Sequence, residues 1–247
     1  MARYVERSAD RVLSEMIADH AAVMIVGPRA TGKTTTAKHF AASTVALAND
    51  RERSAFAADI EAALTLRPEP ILVDEWQEVP ASLGHIKTLV DTEPRAGRFL
   101  ITGSVRGDVN AQTWSGTGRA IRLDIYGLTE REIEERPAEP SWLDGVLHGA
   151  VARPSSELRL VDYVERALRS GFPEPALALN ETARTRWLTS YVDQLVTRDR
   201  DGVGGGRDPA RLRRYLASYA LNSAGTADDT TGSTAAKCCP TGTYSDA

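Results

Sequence analysis

Gly27-Pro28-Arg29-Ala30-Thr31-Gly32-Lys33-Thr34, continued by Thr35, is the stretch that decides the fold of this 247-residue chain. It matches the phosphate-loop pattern G-x-x-x-x-G-K-[ST] in full. Its flanks supply the context the pattern needs. Val23-Met24-Ile25-Val26 before it is apolar and β-branched, and reads as a short buried strand. Thr34 to Ala42 after it holds helix-compatible residues and neither Gly nor Pro. Strand, Gly-bounded loop and helix in that order aim backbone N–H groups at a phosphate. Gly27 and Gly32 suit positions where a Cβ would obstruct the phosphates or where φ is unusual. The reading is therefore that Gly27 to Thr35 hold a nucleotide's phosphates. Lys33 is expected to reach the β- and γ-phosphates, and the Thr34 hydroxyl to ligate Mg²⁺.

Working outward, Pro70-Ile71-Leu72-Val73-Asp74-Glu75 is a second apolar strand, and it ends in two carboxylates. Asp74 is placed to position Mg²⁺, directly or through water. Glu75 is placed to orient and deprotonate an attacking water. A carboxylate pair there favours hydrolysis over phosphoryl transfer to a small acceptor. Other strands are expected at Thr44–Ala48, Arg98–Ser104 and Ala120–Ile125, and helices at Ala9–His20, Ser54–Leu66 and Ala81–Thr92. Alternating strands and helices predict an α/β fold with a parallel sheet covered on both faces. In the catalytic-glutamate layout the strand ending in Thr102 and Ser104 lies beside the phosphate-loop strand. Those hydroxyls then face the γ-phosphate or the attacking water, or else they cap the next helix.

From Thr129 the composition changes. Thr129-Glu130-Arg131-Glu132 is a capping box. Pro137 to Pro140 reads as a turn, and Gly202 to Gly206 as a flexible joint. Helices are expected over Ser156–Ser170 and Asn180–Arg198, and Asp208-Pro209 caps another that carries Leu212, Tyr215, Leu216 and Tyr219. The domains so predicted are residues 1–128, a phosphate-loop domain; 129–221, a smaller helical domain; and 222–247, a low-complexity tail without core-forming residues. A net charge of −4 gives no global argument for nucleic acid or an anionic membrane. The charged start, Met1 to Asp10, lacks a signal-peptide core, which suggests a cytoplasmic location, and no run is long and apolar enough to span a bilayer. The adjacent Cys238 and Cys239 suit neither an ordinary disulfide nor, alone, a zinc site. The histidines have no ligand spacing, so the metal expected is the nucleotide's Mg²⁺.

Several stretches together resemble one family: prokaryotic ATP-binding proteins with an AAA-type ATPase domain followed by a C-terminal domain of unknown function. The matching pieces are Arg3-Tyr4-Val5-Glu6-Arg7, the loop itself, Leu72 to Pro80 (L-V-D-E-W-Q-E-V-P), Phe99 to Ser104 (F-L-I-T-G-S) and Gly118-Arg119 leading to Gly127–Glu132. Gly171-Phe172-Pro173-Glu174 and Tyr191 to Asp199 resemble the start of the second domain. The resemblance covers about residues 3 to 225 and implies Mg-ATP binding with hydrolysis. It also implies an unidentified protein or nucleic-acid partner and a possible homo-oligomer. There Arg119 serves as an arginine finger toward a neighbouring subunit, or else as a solvated, ion-paired residue. Family members run longer, so the low-complexity end from Gly232 reads as a truncation or a frame change, or else as the solvated tail of a naturally short protein. Two rivals stand beside the ATPase: a nucleotide-gated binding module with little turnover, and a small-molecule kinase. The arginines from Arg184 to Arg214 either face a phosphate backbone or form the wet sides of helices interleaved with acids.

Overall fold

Runs of four or five residues, apolar throughout in β1 and mixed at the edges, become the strands of a five-stranded sheet in a computed structural model that describes residues 4–103, 118–136, 142–149, 158–198 and 209–221. The strands are β1 (Ala22–Val26), β2 (Ser43–Ala46), β3 (Ile71–Asp74), β4 (Phe99–Thr102) and β5 (Ile121–Asp124). Their order is β2-β3-β4-β1-β5, and every pairing is parallel. β1 therefore lies between β4 and β5, with Ile25 opposite Thr102 and Val26 opposite Asp124. The expected neighbourhood of the phosphate-loop strand and the strand ending in Thr102 is present.

Side chains alternate across the sheet with period two, which divides the core in two. Ala22, Met24, Val26, Val73 and Ile101 point to one face, where Phe56, Leu64, Leu83 and Ile86 cover them. Val23, Ile25, Leu72 and Leu100 point to the other, under Leu13 and Ala37. The first cover comes from α3 (Asp50–Ala58), α4 (Ile60–Thr65) and α5 (Ala81–Thr92). The second comes from α1 (Ser8–Asp19) and α2 (Lys33–Phe40). The central strands β1, β3 and β4 are buried along their whole length, whereas the edge strands β2 and β5 are partly wet. That is the pattern of a parallel sheet covered on both sides.

The helix expected over Ser54–Leu66 is two helices. Asp59 leaves the helical conformation and its carboxylate accepts the Ala62 N–H, so it starts α4 instead of continuing α3. Asn49 caps α3 in the same way, through the N–H groups of Arg51 and Glu52. At the other end of the sheet the buried Arg98 donates to the carbonyls of Leu89 and Glu93 and pairs with Glu69, closing the C-terminus of α5.

The capping box at Thr129 is formed: the Glu132 N–H donates to Thr129 Oγ1, and the Thr129 N–H donates to Glu132 Oε2. It opens α6 (Glu130–Ile133). After α7 (Trp142–Leu147) come α8 (Leu160–Arg169), α9 (Pro173–Leu177), α10 (Glu181–Arg198) and α11 (Pro209–Leu221). α8 turns its basic side inward: Arg166 and Arg169 pair with Glu130 and Glu134, while Leu160, Val164 and Leu168 are exposed. The turn at 137–140, the joint at 202–206 and the tail from 222 lie outside the described residues.

The chain divides into compact units 1–184 and 185–247. In the second, Trp187 stacks on Tyr191, Tyr215 stacks on Tyr219, and Arg213 pairs with Asp193. Among the described residues no helix is long and apolar enough to cross a membrane.

Candidate functional site

The loop Gly27–Gly32 leaves the C-terminal end of β1 and enters α2 through Gly32, whose φ of 90° only glycine adopts readily. Gly27 is required for space. A Cβ there would stand 1.9 Å from the Ile125 carbonyl oxygen, at a φ of +151°. The glycine thus lets the loop turn away where β1 and the chain after β5 run closest. Ala30 also takes a positive φ, 61°. Pro28, Arg29 and Ala30 are exposed at the loop's crest, Thr31 is buried and its hydroxyl donates to the Pro28 carbonyl, and Thr35 is exposed on α2.

Lys33 is the first residue of α2 and is buried. Its ammonium donates to the carbonyls of Gly27 (3.0 Å) and Pro28 (2.7 Å), so it spans the loop from inside. Burial pushes its pKa below the ordinary 10.5; the nearby Glu75 and Asp74 carboxylates oppose that shift, and Arg29 adds to it.

Asp74 ends β3 with its carboxylate among the ends of the central strands. One oxygen, Oδ1, accepts the Thr34 hydroxyl at 2.7 Å and the Thr102 hydroxyl at 2.5 Å. Loop helix, β3 and β4 therefore converge on a single carboxylate oxygen. A carboxylate beside a hydroxyl is the hard oxygen donor set that suits Mg²⁺, which takes one or two protein oxygens and completes its shell with phosphates and water. Among the described residues no group of three or more His, Cys, Asp or Glu side chains could hold a metal ion.

Glu75 follows with φ 60° and ψ 54°, the left-handed region, which costs a non-glycine residue about 1–3 kcal/mol. Its carboxylate accepts the Gln77 side-chain amide. Gln77 and the Trp76 indole pack over Gly103, where a Cβ would lie 2.7 Å from Gln77 Oε1 and 2.5 Å from Trp76 Nε1. The left-handed turn thus aims Glu75, and the glycine after Thr102 leaves room for the group that holds it.

The structure brings together Lys33, Thr34, Asp74, Glu75 and Thr102. It does not bring Arg119 to them within one chain. Arg119 precedes β5 at the N-terminal edge of the sheet, opposite the loop, and pairs with Asp91 of α5 at 2.8 Å. Ser104 lies outside the described residues. Two residues had no role in the sequence reading. Gln77 was legible in part, from the Asp-Glu-x-Gln spacing. Arg7 was not: a charged residue before an amphipathic helix reads as solvated, yet it is 6% exposed and reaches the loop.

Residues 19–134 match the family described as AAA domain, and residues 160–236 match a domain of unknown function, DUF8612. The uncharacterized proteins Rv2008c of Mycobacterium tuberculosis and Mb2031c of Mycobacterium bovis are each 33% identical over 204 residues, 80% of this chain. The chain spans 41% of the length of these relatives. Among solved structures, the Walker-type ATPase PABY2304 of Pyrococcus abyssi is similar with a TM-score of 0.48 and 12% identity, over 87% of this chain and 81% of that one.

Proposed function

We propose that this chain, an AAA-type phosphate-loop protein of the nucleotide-binding ATPase class with a C-terminal domain of unknown function, binds Mg-ATP and hydrolyses it. The observation that carries the reading is the convergence of Thr34 and Thr102 on Asp74 Oδ1, with Lys33 and Glu75 alongside. Each residue then has a task. The backbone N–H groups at the start of α2 receive the phosphates. Lys33 exchanges the carbonyls of Gly27 and Pro28 for phosphate oxygens, trading neutral acceptors for charged ones. Thr34 and Asp74 hold Mg²⁺, which when bound neutralises charge building up on the β- and γ-phosphate oxygens. Thr102 orients Asp74 from β4. Glu75, steered by Gln77, accepts a proton from the water that attacks the γ-phosphorus. The products are ADP and free phosphate, and what the cycle drives is an interaction with an unidentified protein or nucleic-acid partner.

ATP titration and phosphate release on the purified chain test this. Wild type should bind ATP and release phosphate without a phosphorylated acceptor. Glu75→Gln should bind normally and lose about 10²–10⁴-fold in turnover, because the amide keeps the shape but accepts no proton. Lys33→Ala should bind ATP more weakly, because the chief positive charge on the phosphates is removed. Equal affinity in Lys33→Ala and wild type would refute the assignment of the phosphate loop.

A further inference from the structure

We propose that Arg7 is the positioning residue of the phosphate loop: its guanidinium holds the Thr31–Gly32 peptide so that the loop's N–H groups face the phosphates. The proposal rests on the nucleotide reading above. Arg7 precedes α1 and is buried behind the loop. Nη1 donates to the Thr31 carbonyl at 2.7 Å, and Nη2 donates to the Tyr126 carbonyl at 2.7 Å. One planar fork therefore joins the phosphate loop to the chain after β5, a span that lysine, with a single ammonium, does not reproduce.

The consequence for the loop follows from peptide geometry. In a trans peptide the carbonyl and the next N–H point in opposite directions. Anchoring the Thr31 carbonyl on Arg7 turns the Gly32 N–H away from Arg7, toward the loop's concave side. Gly32 is the residue that leads into α2, so the anchor also sets where that helix begins. The anchor is close: a Cβ on Gly32 would sit 3.5 Å from Arg7 Nη1.

Arg7 is itself held in place. Its own N–H donates to Asp10 Oδ2 at 2.8 Å, and Asp10 Oδ1 accepts the Tyr4 hydroxyl at 2.8 Å. Glu132 lies 3.9 Å from Arg7 Nε, and its carboxylate accepts the N–H groups of Ser8 and Thr129, both at 2.7 Å. These contacts bind the N-terminal segment, the phosphate loop and α6 into one unit. An arginine serving α1 alone would need none of the loop contacts.

The test is ATP affinity of Arg7→Ala and Arg7→Lys, measured well below each variant's thermal midpoint. Each lost charge-assisted bond lowers affinity by about tenfold to a hundredfold when the loop must be ordered by the ligand instead. Arg7→Ala should therefore bind ATP at least about tenfold more weakly, with Arg7→Lys between it and wild type. Millimolar methylguanidinium should restore part of the affinity of Arg7→Ala, which a purely structural loss would not show. Wild-type affinity in folded Arg7→Lys and Arg7→Ala would overturn the proposal; if Arg7→Ala does not fold, Arg7→Lys decides. Failure of wild type itself to bind ATP would remove the nucleotide reading instead, a result distinct from normal binding by the variants.

Discussion

Thr102→Val isolates the contact that joins β4 to the site. Thr102 is fully buried, Asp74 is buried, and the hydroxyl donates to Oδ1 at 2.5 Å. Valine keeps the branched shape and removes the donor. Among the described residues, the Thr34 hydroxyl is then the side-chain donor that remains on that oxygen. A hydrogen bond to a charged group contributes about 1.5–3 kcal/mol. In a chain of this size each kcal/mol moves the thermal midpoint by about 2–4 °C, so the expected fall is about 3–12 °C. The function should change with it. Two donors from different elements orient Asp74, so under the proposed Mg-ATP function losing one should narrow the gap between ATP affinity with Mg²⁺ and with a chelator. Thermal melts without nucleotide and titrations with and without Mg²⁺ measure both effects. An unchanged midpoint together with an unchanged Mg²⁺ dependence would refute the reasoning.

Two further outcomes follow from the loop. Lys33 has a pKa below 10.5 in the free protein because it is buried, and a phosphate would favour its charged form. ATP affinity should fall as pH rises through the lowered pKa, while Lys33→Ala shows no such slope in a pH series of titrations. In the same window, between the lowered pKa and 10.5, the unfolded chain holds more protons than the folded one. Lys33 therefore makes stability without nucleotide rise with pH there, which melts across the alkaline range would record. Gly27→Ala puts a Cβ 1.9 Å from the Ile125 carbonyl oxygen and must push the loop from β5, at a cost of about 1–3 kcal/mol. It should melt lower and bind ATP weakly, and normal affinity by titration would count against the close approach.

The engine of this protein was legible in the chain because its parts are local. Gly27 to Thr34 is one continuous turn of backbone, and its chemistry depends on spacing that the sequence displays directly. The strand ending in Asp74-Glu75 was legible for the same reason, as were the two-sided sheet and the capping box at Thr129. Helix interruptions were less so: nothing in the period of Ser54–Leu66 outweighs the pull of Asp59 toward the Ala62 N–H. What only the tertiary structure decided is which distant groups share an atom. Thr34, Asp74 and Thr102 meet on one oxygen because β3 and β4 are adjacent and α2 starts above them, a fact of strand order. The same holds for Arg119, whose position before β5 puts it with Asp91 on the far edge of a parallel sheet. Arg7 is the sharpest case. The fold buries it against carbonyls 24 and 119 residues away, and burial is a property of the assembled layers that no local pattern carries.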